Sequence, residues 1–166
     1  MKKNISDKVK NILDRVPLGE TGIRVSPVGC GVLPMGPGQL ALPVEEGAKL
    51  ICYALSKGIN FIDTAQYYRT YPYIRRALEM LGSRPAEMAS ACAAANPVPI
   101  GDKIDNPPIS SVPISDIPRP IISSKTLASD YESAYAAICE ECAALGVPYI
   151  DIFLLHEVRS GQFAMR

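Results

Sequence analysis

The sequence carries no net charge, has a single histidine and lacks any long uninterrupted apolar run. Lys plus Arg and Asp plus Glu number 17 each, so no net field would attract nucleic acid or an anionic membrane surface. No apolar run approaches the ~20 residues of a membrane-spanning helix. With 48% apolar residues in a chain of 166, the composition predicts a soluble single domain whose partner is small or hydrophobic.

The cysteines do not form the usual metal or disulfide patterns. There are five, at positions 30, 52, 92, 139 and 142, and this odd number predicts reduced thiols in a cytoplasmic protein. Cys139 and Cys142 form a Cys-x-x-Cys, but there is no second pair and His156 is the only histidine, so no zinc site is expected. We interpret the pair as small residues on a helix, and the sequence leaves a disulfide between them open.

Residues 1–15 place apolar side chains at helical spacing with lysines between them, which predicts an amphipathic N-terminal extension on the domain surface. A targeting peptide is the alternative. It is disfavoured because the segment has no continuous apolar core and contains Asp7 and Asp14.

Polar residues cluster in the stretch GINFIDTAQYY, from Gly58 to Tyr68. Asn60 to Ile62 reads as a short buried strand, and Asp63 follows it directly. In parallel α/β sheets, chemically active side chains gather at the carboxyl ends of the strands. The alternative is that Asp63 caps the turn and the tyrosines fill space. Spacing alone favours that alternative.

Two helices flank this strand and predict a parallel sheet. The first starts after Pro43 and ends at Gly58, and the second has Thr70 as a possible cap and Pro72 in its first turn. A strand over Val28–Val32 precedes the first helix, so the right-handed crossover rule makes the strands parallel. The predicted buried faces are Val44, Ala48, Ile51, Cys52 and Leu55 in the first helix, and Ile74, Ala77, Leu78 and Leu81 in the second.

Residues 83–119 have a different character. Eight of the fifteen prolines lie between Pro85 and Pro120, and this density leaves little room for a helix or a central strand. We interpret the segment as a loosely packed Pro-rich insertion, with a binding arm as the less favoured alternative.

Regular structure is predicted again from Pro120 onward. Pro120–Lys125 reads as a strand, and Ser129 with Glu132 predicts a capping box for a third helix. The continuous apolar run over 149–155 predicts a strand covered on both faces, ending at His156. In the third helix, the side chains expected to fill the core or a groove are Tyr131, Tyr135, Ile138, Cys142 and Leu145.

Four separated motifs resemble the N-terminal half of an aldo-keto reductase. They are the Leu18–Gly22 hairpin LGETG with the Gly29-x-Gly31 strand after it, the DTAQYY of Asp63–Tyr68, the strand end IISSKT, and YIDIFLLHE. The resemblance implies an α/β fold, a partial (β/α)8 TIM-type barrel with an N-terminal β-hairpin, about four parallel strands and three helices. A complete barrel takes roughly 250 residues, so a single truncated domain with the Pro-rich insertion is expected.

The resemblance also implies a catalytic tetrad at the mouth of the barrel. Tyr68 would donate a proton to the substrate oxygen, and Lys125, held by Asp63, would make that tyrosine a stronger acid. His156 would orient the carbonyl oxygen. These roles predict that Lys125 lies between Asp63 and Tyr68.

The implied cofactor is NADPH, and the implied substrate is a small carbonyl compound. Val32, Leu33 and Asp63 would lie near the nicotinamide, whereas the family's other cofactor contacts come from later loops. We therefore expect weak or no activity from this chain. The alternative is a non-catalytic half-barrel remnant or interaction module that self-associates through open sheet edges.

Overall fold

The computed structural model describes residues 14–82 and 118–158. A hairpin joins β1 (Val16–Pro17) to β2 (Arg24–Val25). A parallel sheet contains β3 (Cys30–Gly31), β4 (Phe61–Asp63), β5 (Ile121–Thr126) and β6 (Ile152–Leu155), and the helices are α1 (Val44–Ser56), α2 (Tyr71–Met80) and α3 (Tyr131–Leu145). The predicted α/β architecture is confirmed. The predicted N-terminal extension and Pro-rich insertion lie almost wholly outside the described residues.

The order of the strands in the sheet follows their order in the chain. All three neighbouring pairs are parallel, as expected when helices make the crossovers. Gly31 pairs with Asp63, Asp63 with Ser123, and Lys125 with Leu154. Because the strands point the same way, Asp63, Lys125 and His156 emerge at one edge of the sheet.

The hydrophobic core lies between the sheet and the three helices. It combines the inward face of each helix with side chains of the central strands, the arrangement expected when amphipathic helices cover a sheet. Its fully buried large apolar residues are Val32, Ile51, Ile62, Ile74, Ile122 and Leu145.

Val44 was predicted to be buried, and this prediction is wrong. Its side chain is 41% exposed because it occupies the first position of α1, beyond the stripe that faces the core. Gly47 lies in that stripe instead, with the other four predicted residues, Ala48, Ile51, Cys52 and Leu55.

The cap of α3 is Asp130 rather than the predicted Ser129–Glu132 pair. Asp130 has an extended backbone, and its carboxylate accepts hydrogen bonds from the Ser133 backbone N–H at 2.8 Å and the Ser133 hydroxyl at 2.7 Å. The Asp130 carboxylate therefore caps the helix in place of the expected Ser129–Glu132 capping box.

The predicted aromatic face of α3 is also wrong. Tyr131 and Tyr135 are 69% and 55% exposed and stack on each other with ring centroids 6.2 Å apart. The helix turns Ala137, Glu141, Cys142 and Leu145 inward, so the tyrosines lie on its outer surface. Cys139 of the same helix has a free thiol, so no disulfide joins it to Cys142.

Strand β6 is shorter and more exposed than the sequence predicts. It begins at Ile152 rather than 149, and Leu154 and Leu155 are 44% and 55% exposed. It is exposed because, within the part of the chain that the structure describes, β6 is an edge strand.

A group of polar contacts around Arg119 and Asp151, here called the polar latch, precedes β6. Arg119 contacts the Asp151 carboxylate at 2.8 Å and covers the Tyr149 ring at 4.3 Å. The Ile122 N–H donates to the same carboxylate at 2.8 Å. The latch therefore ties the start of β5 to the residues that lead into β6.

In the ranges 14–82 and 118–158, no helix is long and apolar enough to cross a bilayer.

Gly47→Ala is expected to destabilise the protein, although alanine is the better helix former. A Cβ at position 47 would overlap the Tyr73 ring, and such overpacking costs about 1–3 kcal/mol. The propensity gain of up to ~1 kcal/mol does not offset it. Urea unfolding measures the difference, and Gly47→Ala should cost less in a Tyr73→Leu background than in the parent. A single variant more stable than the parent would contradict this packing.

Glu141→Gln is expected to stabilise the protein at pH 7. Glu141 is 1% exposed, and its carboxylate oxygens have no hydrogen-bond partner in the described residues. Burial raises its pKa above the ordinary 4.5, and the Ser124 and Tyr71 hydroxyls, which lie near the carboxylate but outside hydrogen-bond geometry, oppose this only in part. As pH rises through 4.5, the unfolded chain loses this proton while the folded chain retains it, so the parent loses stability.

The advantage of Glu141→Gln over the parent should therefore grow above pH 4.5 and vanish below it. Denaturant unfolding at several pH values checks this. Glu140→Gln, an exposed neighbour on the same helix, is the matched control and should stay within ~0.5 kcal/mol of the parent. An equal or larger advantage for Glu141→Gln at pH 4 would contradict the account.

Candidate active site

The centre of the site is an ion pair between neighbouring strand ends. The Lys125 ammonium donates to both Asp63 carboxylate oxygens at 2.8 Å and to the Thr64 carbonyl at 2.8 Å. The Lys125 side chain is only 16% exposed, and that of Asp63 is 39% exposed. An ammonium group has three protons to donate. All three therefore have an acceptor, and the position of the cation is fixed.

Tyr68 is the next member of the site. It ends a short 3-10 turn, Gln66–Tyr68, that follows β4. The Lys125 ammonium lies over its ring, 5.3 Å from the centroid. Lys125 thus contacts Asp63 on one side and Tyr68 on the other. The Tyr68 hydroxyl makes no hydrogen bond within residues 14–82 and 118–158, which leaves it available to a substrate oxygen.

His156 completes the group from the end of β6. Its backbone N–H donates to the Thr126 carbonyl at 2.8 Å, which continues the β5–β6 pairing by one residue. Its ring meets the Tyr68 ring edge to face, with centroids 5.7 Å apart and planes at 78°. The structure thus brings together all four residues that the sequence suggests, and their chemical roles stay predictions.

The loop that carries Tyr68 is held by buried hydrogen bonds. The Thr64 N–H donates to the Ser123 carbonyl at 2.9 Å, and the Thr64 and Thr70 hydroxyls, both fully buried, lie 2.8 Å apart. Thr70 stands at the N-cap of α2 as predicted, but its hydroxyl makes this contact rather than a cap. The Thr126 hydroxyl also donates to the Gln66 side chain at 2.9 Å.

Gly36 packs against the same loop from the other side. A Cβ at position 36 would lie 2.8 Å from the Tyr68 carbonyl oxygen and 3.3 Å from that of Leu33. Carbon and oxygen atoms do not approach that closely without repulsion, so the backbone contact requires glycine. The segment after β3 therefore abuts the backbone of Tyr68.

Side chains at the carboxyl ends of β4, β5 and β6 surround a cleft of about 250 Å³. This volume is somewhat below the roughly 300–1,000 Å³ of most ligand pockets, so any ligand that the cleft encloses must be small. The residues that line it are Gln66, Tyr67, Arg69, Lys125, Leu127 and His156.

The two residues after β3 that were predicted to approach a cofactor differ in exposure. Val32 is fully buried in the hydrophobic core, so its side chain is not accessible to a ligand. Leu33 is 36% exposed. Its carbonyl oxygen lies near Gly36, which also packs against the Tyr68 carbonyl. The Asp63 carboxylate is already paired with the Lys125 ammonium. In the described part of the chain, no cluster of three or more His, Cys, Asp or Glu residues could hold a metal ion.

The sequence interpretation places Thr64 and Gln66 in the polar cluster without assigning them a supporting role, and it does not single out Arg69 or Gly36. Thr64 and Gln66 belong to the DTAQYY stretch, so their polar character was the available signal. Arg69 follows that stretch directly and has a left-handed backbone, with φ of 56°, which composition does not reveal. Gly36 had no sequence signal because the backbone it contacts is 32 residues away in the chain.

Comparisons with known proteins bear on the family and the fold of the chain. The model of the Aldo/keto reductase family matches residues 27–160. No curated protein sequence gives a significant match.

Solved structures show the same fold. PA4992 of Pseudomonas aeruginosa, a protein assigned to the aldo-keto reductases, is 22% identical with a TM-score of 0.57, and the match covers 90% of this chain and 49% of that one. A Bombyx mori aldo-keto reductase, AKR2E4, solved in complex with NADP, is 18% identical with a TM-score of 0.52, covering 86% of this chain and 37% of that one.

The chain thus spans about half the length of the first of these structures. Its parallel sheet corresponds to part of their (β/α)8 barrels, so the predicted partial-barrel fold is confirmed. Because the family model covers most of the sequence and includes every strand end of the site, this chain belongs to the aldo/keto reductase family.

Proposed function

We propose that the site reduces an aldehyde or ketone to an alcohol with NADPH as hydride donor. The observation that carries this proposal is a cluster of four side chains at the carboxyl ends of β4, β5 and β6: Asp63, Lys125, Tyr68 and His156. Family membership supports an oxidoreductase, and the NADP complex of the Bombyx mori protein suggests the cofactor.

Tyr68 acts as the proton donor. When hydride adds to a carbonyl carbon, negative charge develops on the oxygen and must be neutralised. The free hydroxyl of Tyr68 supplies the proton, and the ammonium 5.3 Å from the ring centroid stabilises the phenolate that is left. General acid catalysis of this kind contributes ~10²–10⁴-fold.

Asp63 and His156 position the other groups. Asp63 holds Lys125 through two charge-assisted hydrogen bonds, which fixes the cation against the ring rather than leaving it in solvent. The His156 ring borders the same cleft and orients the substrate oxygen toward Tyr68.

NADPH would supply the hydride, and the residues after β3 fit its nicotinamide end. Leu33 is exposed there, and Gly36, three residues later, packs against the Tyr68 backbone. Of the three residues expected near the nicotinamide, Val32 is buried and Asp63 is paired with Lys125, which leaves Leu33 to contact the ring. We therefore infer weak cofactor affinity and slow turnover.

A second candidate function is a non-catalytic module that associates through the sheet edges. The observation in its favour is the exposure of Leu154 and Leu155 on β6, 44% and 55%. An exposed apolar edge strand is a ready surface for pairing with another chain.

Tyr68→Phe is expected to abolish aldehyde-dependent oxidation of NADPH. The parent should oxidise NADPH slowly at millimolar cofactor, and loss of the hydroxyl should cost at least ~10²-fold. Tyr131→Phe, an exposed tyrosine on α3, is the matched control and should retain parental activity. Absorbance at the nicotinamide band follows the reaction.

If the parent shows no turnover above the Tyr68→Phe rate, and sedimentation shows association that Leu155→Lys disrupts, the non-catalytic module is favoured.

Gly36→Ala is expected to lower activity by displacing the loop of Tyr68. Relief of the contact with the Tyr68 carbonyl requires backbone movement, and small misplacements of a reacting group cost up to ~10²-fold. Gly38→Ala, whose new Cβ would meet nothing within 4 Å, is the matched control. Equal activities would show that Gly36 does not position Tyr68.

A further inference from the structure

Arg69 lies beside the site without a described role. It follows Tyr68 directly, lines the cleft with Lys125 and His156, and is exposed. Its backbone is left-handed, with φ of 56° and ψ of 35°. A side chain is disfavoured in that region, and glycine would adopt it without penalty. Strain of this kind, when it is retained, is concentrated at ligand sites.

The charge balance of the cleft makes Arg69 the cation that a ligand can reach. The Lys125 ammonium donates its three protons to the Asp63 carboxylate and the Thr64 carbonyl. No proton is left for a second anion. Asp63 is neutralised by the same contact. Arg69 forms no ion pair with any residue in the described ranges, whereas Arg75 and Arg76 on α2 both pair with Glu79.

From this geometry we propose that Arg69 binds a carboxylate on the substrate, so that the preferred substrates are oxo acids, carbonyl compounds that carry their own carboxylate. This inference rests on the proposed function for its reacting carbonyl. A guanidinium presents a planar pair of donors that matches a carboxylate. With the carboxylate on Arg69, the carbonyl would lie beside His156, which lines the same cleft and whose ring packs against the Tyr68 ring.

The test compares aldehydes that carry a carboxylate two to five carbons from the carbonyl with their methyl esters. The parent should prefer the acid at one chain length, and Arg69→Gln should reduce kcat/KM for that acid by ~10–100-fold while leaving its ester within about twofold. Arg75→Gln, which removes an exposed arginine outside the cleft, is the matched control and should change neither.

Two further measurements separate this inference from the proposed function. Glutarate binding, followed by calorimetry without NADPH, should be lost in Arg69→Gln and kept in Arg75→Gln. Arg69→Gly should raise the urea midpoint by relieving the backbone, yet lose glutarate binding. If turnover is absent but this binding pattern holds, the carboxylate site stands and the proposed reaction fails.

Three results would overturn the inference. One is turnover without preference for the acids at any length. Another is glutarate binding that is absent from the parent or unchanged in Arg69→Gln. The third is a rise in the KM for NADPH alone, which would place the guanidinium on the phosphates of the cofactor.

Discussion

The rest of the site depends on the ion pair between Lys125 and Asp63. It joins the ends of β4 and β5, and the third proton of the ammonium holds the Thr64 carbonyl, from which the loop to Tyr68 begins. With the Lys125 side chain 16% exposed, removal of the carboxylate would leave a poorly solvated charge, which costs several kcal/mol when burial is complete. The pair is therefore both a structural tie and the source of the positive field beside Tyr68.

The sequence predicts the strand ends well because their chemistry is local. Asp63 and His156 each follow an apolar run and Lys125 stands near the end of the strand segment IISSKT, and a parallel sheet necessarily brings such positions to one edge. The errors arise where tertiary packing decides between similar patterns. Tyr131 and Tyr135 share the spacing of a buried face, but α3 is rotated to bury Ala137 and Glu141 instead. Asp130 outcompetes Ser129 as a cap because its carboxylate reaches both Ser133 donors.

Carbonyl reduction needs a proton donor and a bound hydride donor. The described residues supply more candidate groups for the first than for the second. Tyr68, Lys125 and His156, which we propose as the proton donor, its neighbouring cation and the orienting group, lie close together. Of the three residues expected near the nicotinamide, Val32 is buried and Asp63 is paired with Lys125, which leaves Leu33. The low NADPH affinity that we propose rests on this difference.

The most direct test of the central claim is to follow the hydride itself. NADPH deuterated at C4 of the nicotinamide on the transferred face should deliver one deuterium to the carbinol carbon of the alcohol formed from an aldehyde, and mass spectrometry detects it. The account predicts full transfer of the label. An alcohol without deuterium, formed while the labelled cofactor is consumed, would contradict direct hydride transfer at this site.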